Sequence, residues 1–98
     1  KMRRGSLLIN VSRGGIVDTD AVIEALQSGQ LSAAGLDVLD SEPRVPDELL
    51  RQRGAMLTPH VAFSSDASLL ELRRRATEEV VRVLRGETPR NPCNSPAA

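Results

Sequence analysis

Three short apolar runs, each stopped by a breaker and separated by helical or loop segments, admit very few folds. Leu7-Leu8-Ile9-Asn10-Val11 ends at Ser12-Arg13-Gly14-Gly15. A run of this kind predicts a strand buried on both faces, as in a parallel sheet. Asp18 then stands where an N-cap belongs, ahead of Ala21, Val22, Ala25 and Leu26 at helical spacing, with Val17 and Val22 placed for a hydrophobic staple. Gly29 supplies the stop. Ala33 to Leu39 is a second buried run, closed by polar residues and Pro43. Residues 40–54 hold Pro43, Pro46 and a short helical stretch around Asp47 to Arg51. Met56-Leu57-Thr58 is a third, minimal strand that Pro59 halts by removing a ladder donor.

From Ser65 to Arg85 the pattern becomes one long helix with a stripe of Leu69, Leu72, Ala76, Val80, Val83 and Leu84. Such a stripe reads as a face that covers a core rather than one that binds a partner. Glu71 with Arg75 and Glu78 with Arg82 are i,i+4 pairs on the other face. Gly86 ends the helix, and Thr88 to Ala98 is a Pro/Asn/Ser tail without periodicity. Strand, helix, strand, helix-containing loop, strand, helix is the grammar of an α/β parallel sheet. Three strands amount to the C-terminal half of a doubly wound sheet of Rossmann type, over residues 1–87. The chain opens on Lys1 and enters a strand by Leu7, so it reads as a fragment of a longer protein whose other half-sheet lies upstream.

Composition removes several function classes. Thirteen basic and thirteen acidic side chains cancel, which leaves no one-signed field for nucleic acid or a membrane surface. There is one Phe and no Trp or Tyr, so the platforms that stack bases are nearly absent. A lone Cys93 permits no internal disulfide and no multi-Cys zinc site, and no metal is expected. No apolar run approaches the ~20 residues of a membrane span, and the basic start Lys1-Met2-Arg3-Arg4 precedes too short an apolar stretch for a signal peptide. The expected compartment is the cytoplasm.

In open α/β sheets ligands gather at the carboxyl ends of the strands. There the chain places Arg13 after the first strand, Asp37 to Glu42 after the second, and its single histidine, His60, after the third. Each has a plainer reading: Arg13 as a strand cap, Asp37 and Glu42 as solvated loop carboxylates, His60 as a structural imidazole. Together, at equivalent strand ends, they suit an anionic substrate and proton transfer.

The residues carry a specific resemblance. Leu8-Ile9-Asn10-Val11-Ser12-Arg13-Gly14-Gly15-Ile16-Val17-Asp18, Ala34-Gly35-Leu36-Asp37-Val38-Leu39-Asp40-Ser41-Glu42-Pro43 and Leu57-Thr58-Pro59-His60-Val61-Ala62 resemble, in order, three signature blocks of the D-isomer-specific 2-hydroxyacid dehydrogenases. Phe63 to Leu69 is most similar to the branch holding the C-terminal-binding-protein corepressors, which often has Trp where this chain has Phe63. The resemblance implies an NAD-dependent oxidoreductase acting on a small 2-hydroxy/2-oxo acid, homodimeric in full length. It implies that His60 is the acid/base, that Glu42 orients its imidazole, and that Arg13 grips the substrate carboxylate. Asp37 and the Val11 carbonyl would then meet the nicotinamide carboxamide, with Ala62 lining that end of the cofactor site beside Arg13 and His60. It further implies that the long helix crosses toward a substrate domain, where the tail over 88–98 finishes.

The chain contains no G-x-G-x-x-G turn opening a helix. The activity is therefore expected of the parent protein, the piece alone being inactive. Two other readings stand beside it: an NAD(H)-sensing corepressor-like scaffold, and a truncated product with no independent function.

Overall fold

Asp18 begins the first helix as its position predicts. Its carboxylate accepts the Ala21 N–H at 3.1 Å and starts α1 (Thr19–Gln27), answering one of the donors orphaned at a helix start. Gly29, at a φ of +69°, turns the chain out of α1 through the left-handed region that glycine enters without strain. On either side lie β1 (Ser6–Asn10) and β2 (Leu31–Leu36), and after a loop carrying α2 (Asp47–Leu50) comes β3 (Ala55–Leu57). In this computed structural model, which describes residues 2–94, the three strands pair in parallel in the order β1-β2-β3. Parallel neighbours need a crossover between them. The segment holding α1 makes the first and the loop holding α2 the second. In register, Asn10 lies beside Leu36, and Leu36 beside Leu57, so all three strands end at one edge.

The core lies on one face of the sheet. Val22 and Ile23 of α1 pack with Leu31, Ala34 and Leu36 of β2 and with Leu49 of α2, which is fully buried. Each of these side chains larger than alanine adds about 1.5–3 kcal/mol of apolar transfer. The expectation of strands buried on both faces is corrected here. Burial alternates along β1, and Leu7, Ile9 and Met56 are exposed. The cause is that α1 packs on β2 and also touches α2, so the two helices share the covered face. The second strand also begins earlier than Ala33, at Leu31, and ends at Leu36 rather than Leu39. The outward Ser32 hides the alternation at its start, and Asp37 leaves the strand to serve the edge described below.

The chain divides into two compact units, residues 1–62 and 63–98. In the second, α3 (Asp66–Leu84) is opened by a reciprocal box. The Ser65 hydroxyl accepts the Ser68 N–H, and the Ser68 hydroxyl accepts the Ser65 N–H, with serine doing at N3 what Glu or Gln more often does. No residue of α3 is buried, and of its apolar stripe Leu72, Val80, Val83 and Leu84 are exposed. The Glu71–Arg75 pair forms, whereas Glu78 pairs with Arg74 at 2.6 Å and Arg82 with Glu87 at 2.8 Å. On an exposed helix such alternatives differ by a few tenths of a kcal/mol, so partner choice follows local reach. Of the tail over 88–98, residues 95–98 lie outside the described residues.

A 3-10 turn at Gly14–Ile16 follows β1. A Cβ on Gly14 would overlap the Leu39 carbonyl and the Asp40 nitrogen, whereas one on Gly15 meets nothing within 4 Å. Gly14→Ala is therefore expected to destabilise the fold by about 1–3 kcal/mol through overpacking. Gly15→Ala should stay within about 0.5 kcal/mol. Urea midpoints of the two variants against the parent measure the contrast, and equal midpoints would remove the close approach.

Candidate active site

Asp37 is the first residue past β2, and its side chain is buried. A buried carboxylate must be hydrogen-bonded, and that of Asp37 is bonded to the segment from Thr58 to Ala62. Its Oδ1 accepts the Thr58 hydroxyl and, at 2.9 Å, the Val61 N–H; its Oδ2 accepts the Ala62 N–H at 2.9 Å. Its main-chain carbonyl accepts the His60 N–H at 3.0 Å. The Thr58 hydroxyl above all, then the two N–H groups, hold the carboxyl below its ordinary pKa against the opposing effect of burial. The turn fixed in this way carries His60 at a φ of +55°, a left-handed conformation that costs a non-glycine residue about 1–2 kcal/mol.

On that turn the imidazole meets Glu42. His60 Nδ1 lies 2.8 Å from Glu42 Oε2, while Oε1 accepts the Leu39 N–H at 2.8 Å. Glu42 thus bridges its own loop and the imidazole. The hydrogen bond to His60, then that from Leu39, lowers the Glu42 pKa, so the group is a carboxylate at neutral pH. A carboxylate only accepts, so Nδ1 carries the proton between them and Nε2 is the nitrogen that Glu42 does not engage. Both side chains are about two-fifths exposed, at 44% and 37%, open enough to exchange protons with a ligand. A cavity of about 210 Å³ adjoins them, lined by Asp37, Leu39, Glu42, Pro43, Val45, Thr58, Pro59 and His60.

Of the expected site residues, the structure brings Glu42, His60, Asp37 and Ala62 together. Arg13 lies at the same sheet edge, on the turn after β1. Its guanidinium donates to the Ser12 carbonyl at 2.7 Å, and it is not among the residues lining the cavity at His60. Val11 follows β1 and is exposed. Two contributors escaped the sequence reading. Thr58 supplies the hydroxyl on Asp37, and Asn10 is buried with its amide on the Ser12–Arg13 turn. The signal for Asn10 was present: it is the one polar side chain inside the first apolar run, and a buried amide must find partners. Among the described residues no group of three or more His, Cys, Asp or Glu is placed to hold a metal ion. No helix among them is long and apolar enough to cross a membrane.

The donor set suits one end of a nicotinamide dinucleotide. Oδ2 of Asp37, bonded to a single N–H among the described residues, keeps acceptor capacity for an amide such as the nicotinamide carboxamide. No glycine-rich strand-to-helix turn of the type that cradles a diphosphate occurs in the sequence. The residues present therefore fit the nicotinamide end and not the diphosphate.

Known proteins resemble this chain in sequence and in fold. Residues 1–62 match the model of the D-isomer specific 2-hydroxyacid dehydrogenase NAD binding domain. Over 98 residues the chain is 39% identical to D-3-phosphoglycerate dehydrogenase of Archaeoglobus fulgidus, covering 99% of this chain and 19% of that one. Over 95 residues it is 38% identical to glyoxylate reductase of Korarchaeum cryptofilum, covering 96% and 29%. Among solved structures it is similar to the NADPH-dependent glyoxylate/hydroxypyruvate reductase of Sinorhizobium meliloti in complex with NADP and malonate. That match has a TM-score of 0.79 and 34% identity, over 92% of this chain and 28% of that one. The chain thus spans less than a third of the length of these relatives, and its parallel α/β sheet has the Rossmann-like architecture of their NAD-binding domains. With the family model covering well over half of its residues, the chain belongs to the D-isomer specific 2-hydroxyacid dehydrogenases and carries part of their NAD binding domain.

Proposed function

We propose that the protein to which these residues belong interconverts a small 2-oxo acid and its D-2-hydroxy acid with NAD(H), and that this chain supplies the proton-handling half of the site. The observation that carries the proposal is the Glu42–His60 contact of 2.8 Å, held at the carboxyl edge of a parallel sheet by the buried Asp37. When bound, the nicotinamide supplies the hydride to the substrate carbonyl carbon, or accepts it in reverse. In reduction the His60 imidazolium gives the Nε2 proton to the carbonyl oxygen, and in oxidation the neutral ring takes it back. Glu42 holds the ring through the Nδ1 hydrogen bond and keeps it from rotating. Arg13 offers a planar pair of donors to the substrate carboxylate. Asp37 and the Val11 carbonyl would hold the carboxamide, with the Ala62 backbone at that end of the cofactor. The proposal extends to a homodimeric parent working in the cytoplasm, which sedimentation and fractionation of the intact protein would check.

The relatives point to glyoxylate and hydroxypyruvate as the first substrates to try. In the intact protein with NADH and a panel of 2-oxo acids, His60→Ala should lower kcat/KM by about 10²- to 10⁴-fold, the usual weight of a general acid. Arg13→Ala should lower it by tenfold or more, mainly through KM. Both side chains are exposed, so neither variant should move the melting temperature appreciably. NADH-driven self-association without reduction of any 2-oxo acid would favour a cofactor-sensing scaffold instead.

The hydrogen-bonded pair also sets a pH dependence. The hydrogen bonds from His60 and Leu39 lower the Glu42 pKa, so the carboxylate is present in full above the ordinary glutamate value and is lost only as pH falls through the lowered one. In Glu42→Gln that ionisation is gone, and the acidic limb of kcat/KM against pH that belongs to Glu42 should disappear. An unchanged acidic limb would mean that the Glu42 carboxylate does not act in turnover.

A further inference from the structure

We infer that Asn10 is a positioning residue for substrate binding: its buried side chain sets the turn from which Arg13 reaches the substrate. The inference rests on the reading of Arg13 as the carboxylate anchor. Asn10 is the last residue of β1 and only 4% exposed. Its Oδ1 accepts the Ser12 N–H at 3.1 Å, and its Nδ2 donates to the Arg13 carbonyl at 3.0 Å. The first contact is an Asx turn, which a side-chain oxygen can make two residues on. The second fixes the carbonyl of Arg13 itself. Both ends of one amide are thus committed to the backbone of the turn that carries Arg13.

Two further contacts make this amide a strut rather than a local ornament. The main-chain carbonyl of Asn10 accepts the Asp37 N–H at 3.0 Å, so the arginine turn is tied to the residue that holds the His60 turn. One residue after Arg13, Gly14 closes against the Leu39–Asp40 backbone with no room for a Cβ. Arg13 therefore sits between two fixed points, the Asn10 amide before it and the Gly14 contact after it. Its side chain beyond Cβ is left exposed. The backbone origin of the guanidinium is defined while the guanidinium remains able to rotate, and a displacement of about 1 Å at such an origin is enough to degrade a bidentate grip. Alanine would leave the Ser12 N–H and the Arg13 carbonyl without this partner. Aspartate is near-isosteric and keeps the acceptor for Ser12, but it opposes the Arg13 carbonyl with an oxygen in place of the amide donor.

The test uses the intact protein with NADH and glyoxylate, in Asn10→Ala, Asn10→Asp, Arg13→Ala and the double variant Asn10→Ala/Arg13→Ala. Each single Asn10 variant should raise KM for glyoxylate by about tenfold, with kcat within about threefold and NADH affinity within about twofold of the parent. A residue that acts through Arg13 has nothing left to lose once Arg13 is gone. Adding Asn10→Ala to Arg13→Ala should therefore change kcat/KM by less than about twofold. A folded Asn10 variant with unchanged KM overturns the inference, as does a loss that multiplies fully on that of Arg13→Ala. Failure of both Asn10 variants to fold likewise overturns it, in favour of a purely structural amide. If Arg13→Ala itself leaves glyoxylate turnover intact, the failure belongs to the anchor reading on which the inference stands.

Discussion

The buried carboxylate of Asp37 is the interaction on which the sheet edge depends. It gathers a hydroxyl and two N–H groups from residues 58–62 onto one side chain, while its main chain takes the His60 N–H and gives its own N–H to Asn10. Without those bonds the segment after β3 would be a loop of five residues with a left-handed histidine in it, and that conformation persists only where the surroundings over-determine it. The sheet supplies the over-determination. Because β2 lies between β1 and β3, a residue at its end can reach both neighbours, and Asp37 occupies that position. An ionised Asp37 is needed for all three side-chain bonds. The donors that lower its pKa therefore also keep the turn intact, stabilising it above the ordinary aspartate value of about 3.9 and losing hold only as pH falls through the lowered one.

Rigidity and reactivity are assigned to different residues. Asn10, Thr19 and Asp37 are the buried polar side chains, and each braces a loop: Asn10 the arginine turn, Asp37 the histidine turn, and Thr19 the loop after β2 through a 2.7 Å bond to Asp40. Arg13, Glu42 and His60, to which the proposed function assigns the chemistry, are more open to solvent. Partial exposure moderates Coulombic effects. Accordingly the lowering of Glu42 follows first from its hydrogen bond to His60 and only later from charge attraction. The site's electrostatics are those of contact, and geometry governs them.

Much of this was legible in the residues and some of it was not. The Asp18 cap, the Gly29 stop and the succession of three strands along the chain follow from spacing and turn chemistry, which act locally. That Glu42 and His60 meet depends on two loops at adjacent strand ends, which the parallel topology brings together although 18 residues separate them. The covered and open faces were not legible, because β1 is apolar on both, and only the helices' choice of side distinguishes Leu8 from Leu7. Asn10 was passed over because it lies inside an apolar run, where pattern reading weighs the hydrophobes and treats a single amide as noise. The roles of Asp37 diverged in the same way: resemblance assigns it a cofactor contact, while the structure adds its hold on the histidine turn. A carboxylate with two oxygens can serve both.

Arg13 presents the remaining step. Its guanidinium rests on the carbonyl of Ser12, one neutral acceptor on an exposed side chain, while its main chain is held from both sides. The proposed grip on a substrate carboxylate exchanges that single bond for a charge-assisted, bidentate one, which is roughly twice as strong per bond. Because the backbone does not move in the exchange, the free energy of anion binding need not be spent on ordering the loop, and only side-chain rotation is lost. The acid/base pair needs no comparable rearrangement, since Glu42 and His60 are already in contact. On the proposed function, proton transfer would thus be preorganised in residues 37–62, and the anion grip would be assembled on arrival from residues 10–14. That division would account for an arginine turn whose backbone is braced while its guanidinium has a single bond to exchange.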